Sequence, residues 1–106
     1  MGFTVVARNL RTTHGELDLV LHQSTWRTGA LLVGVEVKTR SHHGAPERLV
    51  QEAELERRAQ ALAAVARRLL PSVRRLHLRV DIAAVRWMGD MPAEIRLFVG
   101  CTRSAP

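Results

Sequence analysis

Residues 30–39 read ALLVGVEVKT. Leu31, Val33, Val35 and Val37 occupy every second position, and that period belongs to a β-strand rather than a helix. The other parity carries Gly34, Glu36 and Lys38. A strand buried on both sides has Val or Ile at such places, so a carboxylate and an amine two residues apart need a reason. Lys38 is also the only lysine in the chain; the other 15 of its 16 Lys+Arg residues are arginine.

Upstream, GELDLVLH (residues 15–22) alternates in the same way. Leu17, Leu19 and Leu21 share one parity, and Glu16, Asp18, Val20 and His22 the other. The intervening QSTWRTG reads as a loop short enough for an antiparallel hairpin. With Asp18 opposite Glu36, Glu16 faces Lys38 and Val20 faces Gly34, while Leu17, Leu19 and Leu21 face Val37, Val35 and Val33. One surface is then wholly aliphatic and ready to receive a helix. The other gathers Glu16, Asp18, Glu36 and Lys38. A slip of two residues keeps these faces and changes the pairs, whereas a slip of one sends charge into the core.

Around this hairpin the pattern is simple. Phe3–Asn9 (FTVVARN) is a β-branched strand, and Thr12–Gly15 (TTHG) is a turn. After the strand at 30–39, SHHGAP interrupts the alternation. From Glu47 to Leu70 the period becomes helical, with Leu55, Ala59, Leu62, Ala66 and Leu69 at spacings of four and three, and Pro71 ends the helix. His77–Trp87 and Glu94–Cys101 return to strand character on either side of the turn MGDMP. The expected architecture is an α/β mixed sheet in the order β-β-β-α-β-β, forming a single domain over residues 1–101 with a frayed tail at 102–106.

Composition narrows the functional classes. The chain is 46% hydrophobic and 25% charged, as in an ordinary globular protein. No apolar run approaches the roughly 18 residues of a membrane span, so no membrane partner is expected. The N-terminus has no basic-then-apolar leader. Cys101 is a lone cysteine, which suits a reducing cytoplasm, and no Cys/His spacing points to zinc. The formal charge of +6 and pI of about 11.4 favour polyanionic partners, nucleic acid before an anionic membrane. The arginines are spread along the chain rather than massed, a distribution that codon bias towards Arg and Ala also produces.

Two carboxylates about 5 Å apart across a hairpin repel each other. A bound cation reverses the sign, and Mg²⁺ or Mn²⁺ takes such oxygen ligands together with water and phosphate. Lys38 stands about 6.6 Å along the strand from Glu36, beside such an ion rather than on it. There its compact ammonium, whose pKa its surroundings can lower, holds a phosphate oxygen or the attacking water, which a guanidinium does not replace. The competing explanation is a pair of plain salt bridges, Glu36–Lys38 and Glu16–Lys38, on a solvated sheet face. Asp18 on the same face of the neighbouring strand tips the balance towards the metal site.

The segments GFTVVARNLRTTHGELDLV, LLVGVEVKTR and RVDIAAV, in that order, resemble the YraN-like family of uncharacterised bacterial proteins. The resemblance covers most of the chain, through about Val85. It implies a restriction-endonuclease-like PD-(D/E)xK fold, distantly similar to archaeal Holliday junction resolvases, and a metal-dependent nuclease site. By that implication Asp18 and Glu36 bind Mg²⁺ or Mn²⁺, the Val37 carbonyl adds a ligand, and Lys38 is the catalytic lysine. Glu16 is an accessory acid, and Arg8, Asn9, Thr39 and Arg40 contact nucleic-acid phosphate or support the structure. DNA is the expected partner, and junction-cutting relatives suggest a homodimer by analogy. The chain departs from the family in two places. The helix that usually precedes the GF position is expected to be either absent or lost to a misplaced start, and Glu54 stands where the later helix usually carries a lysine.

These readings support a DNA-cleaving endonuclease, or alternatively a nucleic-acid-binding module of weak or no activity on the same scaffold. A third possibility is an interaction protein whose charge reflects codon bias alone. Among the remaining residues, Asp81 and Arg79 share a strand parity and are expected to form a local ion pair. His42 and His43 read as loop histidines, and Trp26 as a loop aromatic. Arg57–Arg58 and Arg67–Arg68 read as the solvated helix face, and Trp87 as core or rim.

Overall fold

Among the described residues the alternating runs form five strands and the 3.6-period run forms one helix: β1 (Thr4–Thr12), β2 (Gly15–Thr25), β3 (Gly29–Arg40), α1 (Glu52–Leu69), β4 (Arg75–Met88) and β5 (Met91–Ser104). The computed structural model describes residues 2–25, 29–40 and 52–104. Trp26, His42, His43 and the expected first helical residues 47–51 lie outside the described residues. The sheet runs β1-β2-β3-β4-β5. All pairings are antiparallel except β3 with β4, which are parallel. A parallel neighbour requires a crossover of a dozen residues or more, and α1 supplies it. β5 continues to Ser104, beyond Cys101 where the sequence pattern ends, because residues 102–104 pair with Val80, Arg79 and Leu78 of β4.

The turn between β1 and β2 closes through Thr12. Its hydroxyl donates to the Gly15 carbonyl at 2.7 Å and accepts the His14 amide at 3.0 Å. The β2–β3 register has Val20 opposite Gly34, with Leu19 opposite Val35 and Leu21 opposite Val33, as the alternation requires.

The side on which the helix packs differs from the sequence expectation. Leu62 of α1 lies over Gly34, where an added Cβ would meet its methyl carbons at 3.6 Å. The main cluster joins Ala61, Leu62, Val65 and Ala66 of α1 to Ala30 and Leu32 of β3 and to Leu76, Leu78 and Val80 of β4. The helix therefore covers the parity that carries Glu36 and Lys38, not the uniform valine face. β4 decides the matter. Parallel pairing aligns Leu32 with Leu78, Gly34 with Val80 and Glu36 with Ile82, so the apolar residues of β4 lie on the Gly34 side. Its opposite parity is polar at His77, Arg79 and Asp81. Small residues at Ala30 and Gly34 let α1 approach closely.

Arg79 and Asp81 form the expected ion pair on the side away from the helix. The guanidinium donates Nε and Nη2 to the two Asp81 carboxylate oxygens, each at 2.9 Å, and the Gly100 amide adds a bond at 2.8 Å. Asp81 is 2% exposed, yet three hydrogen bonds satisfy its charge. Arg79 also lies over the Phe3 ring at 5.8 Å.

Candidate metal and nucleic-acid site

β2 and β3 stop pairing regularly at Leu19–Val35. One step further, where Asp18 would face Glu36, the Asp18 side chain takes over the ladder bond: its Oδ2 accepts the Val37 amide at 2.8 Å. Strict alternation breaks in the same place. Leu17 and Val20 have opposite parity, but both are buried in the helix-side cluster. On β1 the register passes from Arg8↔Leu19 to Leu10↔Leu17, leaving Asn9 and Asp18 at the interruption. Asn9 has φ 48, a left-handed conformation that Asn tolerates better than other L-residues.

The N-terminal half of α1 completes the surroundings. Lys38 Nζ donates to Glu54 Oε1 at 2.7 Å and stands 3.5 Å from Glu36 Oε1. Arg58, one turn after Glu54, donates Nε to Glu36 Oε2 at 2.5 Å, and its Nη2 is 3.6 Å from Glu54. Glu36 is only 5% exposed, and the Lys38 side chain 25%. The pair is thus roofed by the helix, which was expected on the opposite, aliphatic face.

Gly15 lines the same site. Its φ is +123, and a Cβ there would come within 2.8 Å of Arg58 Nη1. Any larger residue would meet both a strained backbone and the guanidinium.

Two carboxylates, Glu36 and Glu54, thus pair with two cations, Lys38 and Arg58, and the charge of Asp18 is felt at Arg58. Asp18 has no ion-pair partner among the described residues and relies on the Val37 amide. Among the described residues no group of three or more His, Cys, Asp or Glu side chains is gathered around one point. The donors that suit a hard divalent ion are the carboxylates of Asp18 and Glu36 with the Val37 carbonyl. Their chemistry and the surplus negative charge fit such an ion, but Arg58 already engages Glu36.

Glu16 goes elsewhere. It pairs across the strands with Arg11 at 3.7 Å, on an exposed surface, and not with Lys38 as expected. Arg8, Asn9 and Thr39 are exposed around the site, on β1 and at the end of β3; of Arg40 only the backbone is described. Arg57, Arg67 and Arg68 lie on the exposed helix face, whereas Arg58 is turned inward.

The hydrogen bond to Glu54, opposed by partial burial, raises the Lys38 pKa above the usual lysine value. The ammonium therefore stays protonated at neutral pH and is a fixed cation, not the lowered, tunable amine that the sequence suggested. Its pairing stabilises the fold fully below the ordinary lysine pKa and is lost only as pH rises through the elevated value. Because Lys38 is the only lysine, a lysine-labelled sample gives a single side-chain NMR resonance. Its titration midpoint is expected above the ordinary lysine value and to fall in Glu54→Gln; an unchanged midpoint would show that Glu54 does not hold the ammonium in solution.

Arg58 is the site residue that sequence reading missed, and Glu54, noted there only as a departure from the family pattern, is the ion-pair partner of Lys38. Their i, i+4 spacing beside Leu55 and Ala59, on the flank of the apolar stripe, is the signal that places them at its edge.

The sequence model of the family described as "Uncharacterised protein family UPF0102" matches residues 1–85. A UPF0102 protein of Syntrophotalea carbinolica is 40% identical over 104 residues, covering 93% of this chain and 76% of that protein. One from Brucella canis is 38% identical over 95 residues, covering 87% and 71%. One from Parvibaculum lavamentivorans is 39% identical over 92 residues, covering 81% and 62%. Among the described residues no helix is long and apolar enough to cross a membrane.

Proposed function

The chain belongs to the UPF0102 family, and within it we propose that this protein is a divalent-metal-dependent endonuclease acting on phosphodiesters in DNA, on a restriction-endonuclease-like sheet. One observation carries the reading: where β2 peels away from β3, Asp18 is fixed by the Val37 amide beside Glu36 and Lys38. The mixed sheet with one crossover helix and the net charge of +6 agree with it.

Asp18 and Glu36 would hold Mg²⁺ or Mn²⁺, with the Val37 carbonyl as a further donor. When bound, such an ion polarises the phosphate and lowers the pKa of a coordinated water. The Val37 amide keeps one Asp18 oxygen in place, and the other has no hydrogen-bond partner among the described residues. Lys38 carries three N–H donors, so it can keep Glu54 and still offer one to a phosphate oxygen as charge develops there. Glu16 lies at the rim as an accessory acid once it leaves its weak pairing with Arg11. Arg8, Asn9, Thr39 and Arg40 would either contact backbone phosphates, which position a duplex without reading its sequence, or support the structure.

A second reading, a binding module without turnover, is favoured by the same ion pairs: Glu54 holds Lys38 and Arg58 holds Glu36. A nicking assay on duplex, flap and four-way-junction DNA with Mg²⁺ or Mn²⁺ separates the two. Cutting that chelation abolishes supports the endonuclease. Salt-sensitive binding without cutting supports the module. Neither binding nor cutting removes both.

A further inference from the structure

We propose that Arg58 is the resident counter-cation of this site and sets its affinity for divalent ions, so that metal binding requires Arg58 to leave Glu36. The proposal rests on the metal-site reading above and concerns a residue outside the expected motif. The Arg58 Nε lies 2.5 Å from Glu36 Oε2, with Glu36 almost fully buried. Lys38 stands at the other oxygen, 3.5 Å away, so both Glu36 oxygens face cations. A divalent ion and a guanidinium cannot occupy the same lone pairs, and their charges repel at close range. Binding of the ion is therefore an exchange in which the Arg58–Glu36 bond is lost and Arg58 retains only Glu54, now 3.6 Å from its Nη2.

The exchange leaves Arg58 with an obvious use. Once displaced it remains tethered near Asp18 and Glu54 at the edge of the site, where a phosphodiester oxygen is the natural new acceptor for its planar donor fork. Asp18 already contributes to the electrostatic stabilisation of Arg58, which places the two groups within mutual influence. Competition at Glu36 makes the affinity for the ion lower than its oxygen donors alone would give.

Mn²⁺ binding, followed from the loss of the free-ion EPR signal, reads this directly without catalysis. Arg58→Gln is expected to tighten Mn²⁺ binding about tenfold relative to wild type, a change of about 1.4 kcal/mol. Arg57→Gln removes the same charge from the same helix at an exposed position and is expected to change it less than about twofold at 0.15 M salt. Arg58→Lys keeps the charge but loses the fork, and is expected to lie between wild type and Arg58→Gln. It also serves if the glutamine variant, with Glu36 buried and uncompensated, fails to fold. For Arg58→Lys alone, affinity equal to or weaker than wild type would overturn the proposal.

Equal tightening in Arg57→Gln and Arg58→Gln would overturn it too, by assigning the effect to overall charge. If wild type binds Mn²⁺, loses it in Asp18→Asn and is unaffected by Arg58→Gln, the competition fails while the metal site stands. If no variant binds Mn²⁺, the metal-site reading and the proposal both fail.

Discussion

Replacing Lys38 by alanine is expected to lower metal-dependent nicking of DNA at least about a hundredfold while leaving the protein folded. Removing one pre-positioned donor from a charge-developing site typically costs 10²- to 10³-fold, and among the described side chains of β3 the ammonium is the donor beside Glu36. In the proposed endonuclease its protonated state, favoured by Glu54, would make it an electrostatic stabiliser that works unchanged across neutral pH. The structural cost is small. Lys38 and Glu54 are 25% and 18% exposed, and partly solvated pairs contribute on the order of 1 kcal/mol or less. Thermal melting within a few degrees of wild type, together with the lost activity, would separate chemistry from folding. Lys38→Arg is not expected to restore activity, because the planar guanidinium cannot share Glu54 and a phosphate oxygen in the same compact space. Nicking that survives Lys38→Ala undiminished would move the chemistry away from this strand.

The second large effect is on stability. Asp81→Asn is expected to destabilise the fold by about 3 kcal/mol, the range found when one partner of a buried ion pair is removed. For a domain of this size that lowers the melting temperature by more than about 10 °C. Asp81 accepts both Arg79 bonds and the Gly100 amide, so its loss leaves the Arg79 charge poorly compensated on the sheet face away from the helix. Gly100 has φ 71 within an irregular stretch of the β4–β5 pairing, so the Asp81 bond anchors that stretch as well. A shift of only a degree or two in a thermal melt would mean that Arg79 finds water or another acceptor at little cost.

Much of this arrangement can be read in the residues themselves. The two leucine and valine alternations at 15–22 and 30–39 admit few registers, and the one placing Val20 opposite Gly34 is the one formed. The helix was legible from Leu55, Ala59, Leu62, Ala66 and Leu69 because its period differs from that of the strands. The side it would cover was not, because β3 offers valines on one parity and small residues on the other. The parity of β4, fixed by parallel pairing across an intervening helix, settles the choice. That pairing is non-local and leaves no mark in the hairpin sequence.

The arrangement of the candidate site was legible to a similar degree. Asp18, Glu36 and Lys38 meet at the same end of the sheet, while Glu16 turns to Arg11. Arg58 reads as one of several solvated helix arginines until the helix is placed over Glu36. Its inward position follows from the side the helix takes, so the two omissions have one cause. The Asp18–Val37 bond lies just beyond the last regular β2–β3 pair, where a side chain replaces the ladder partner, which strict alternation cannot express.

The most direct measurement is the anomalous difference density of a crystal soaked in Mn²⁺. A peak bounded by the carboxylates of Asp18 and Glu36, with the Arg58 guanidinium moved off Glu36, is the predicted result. Density confined to other acidic residues, with Glu36 still held by Arg58 at saturating Mn²⁺, would contradict it.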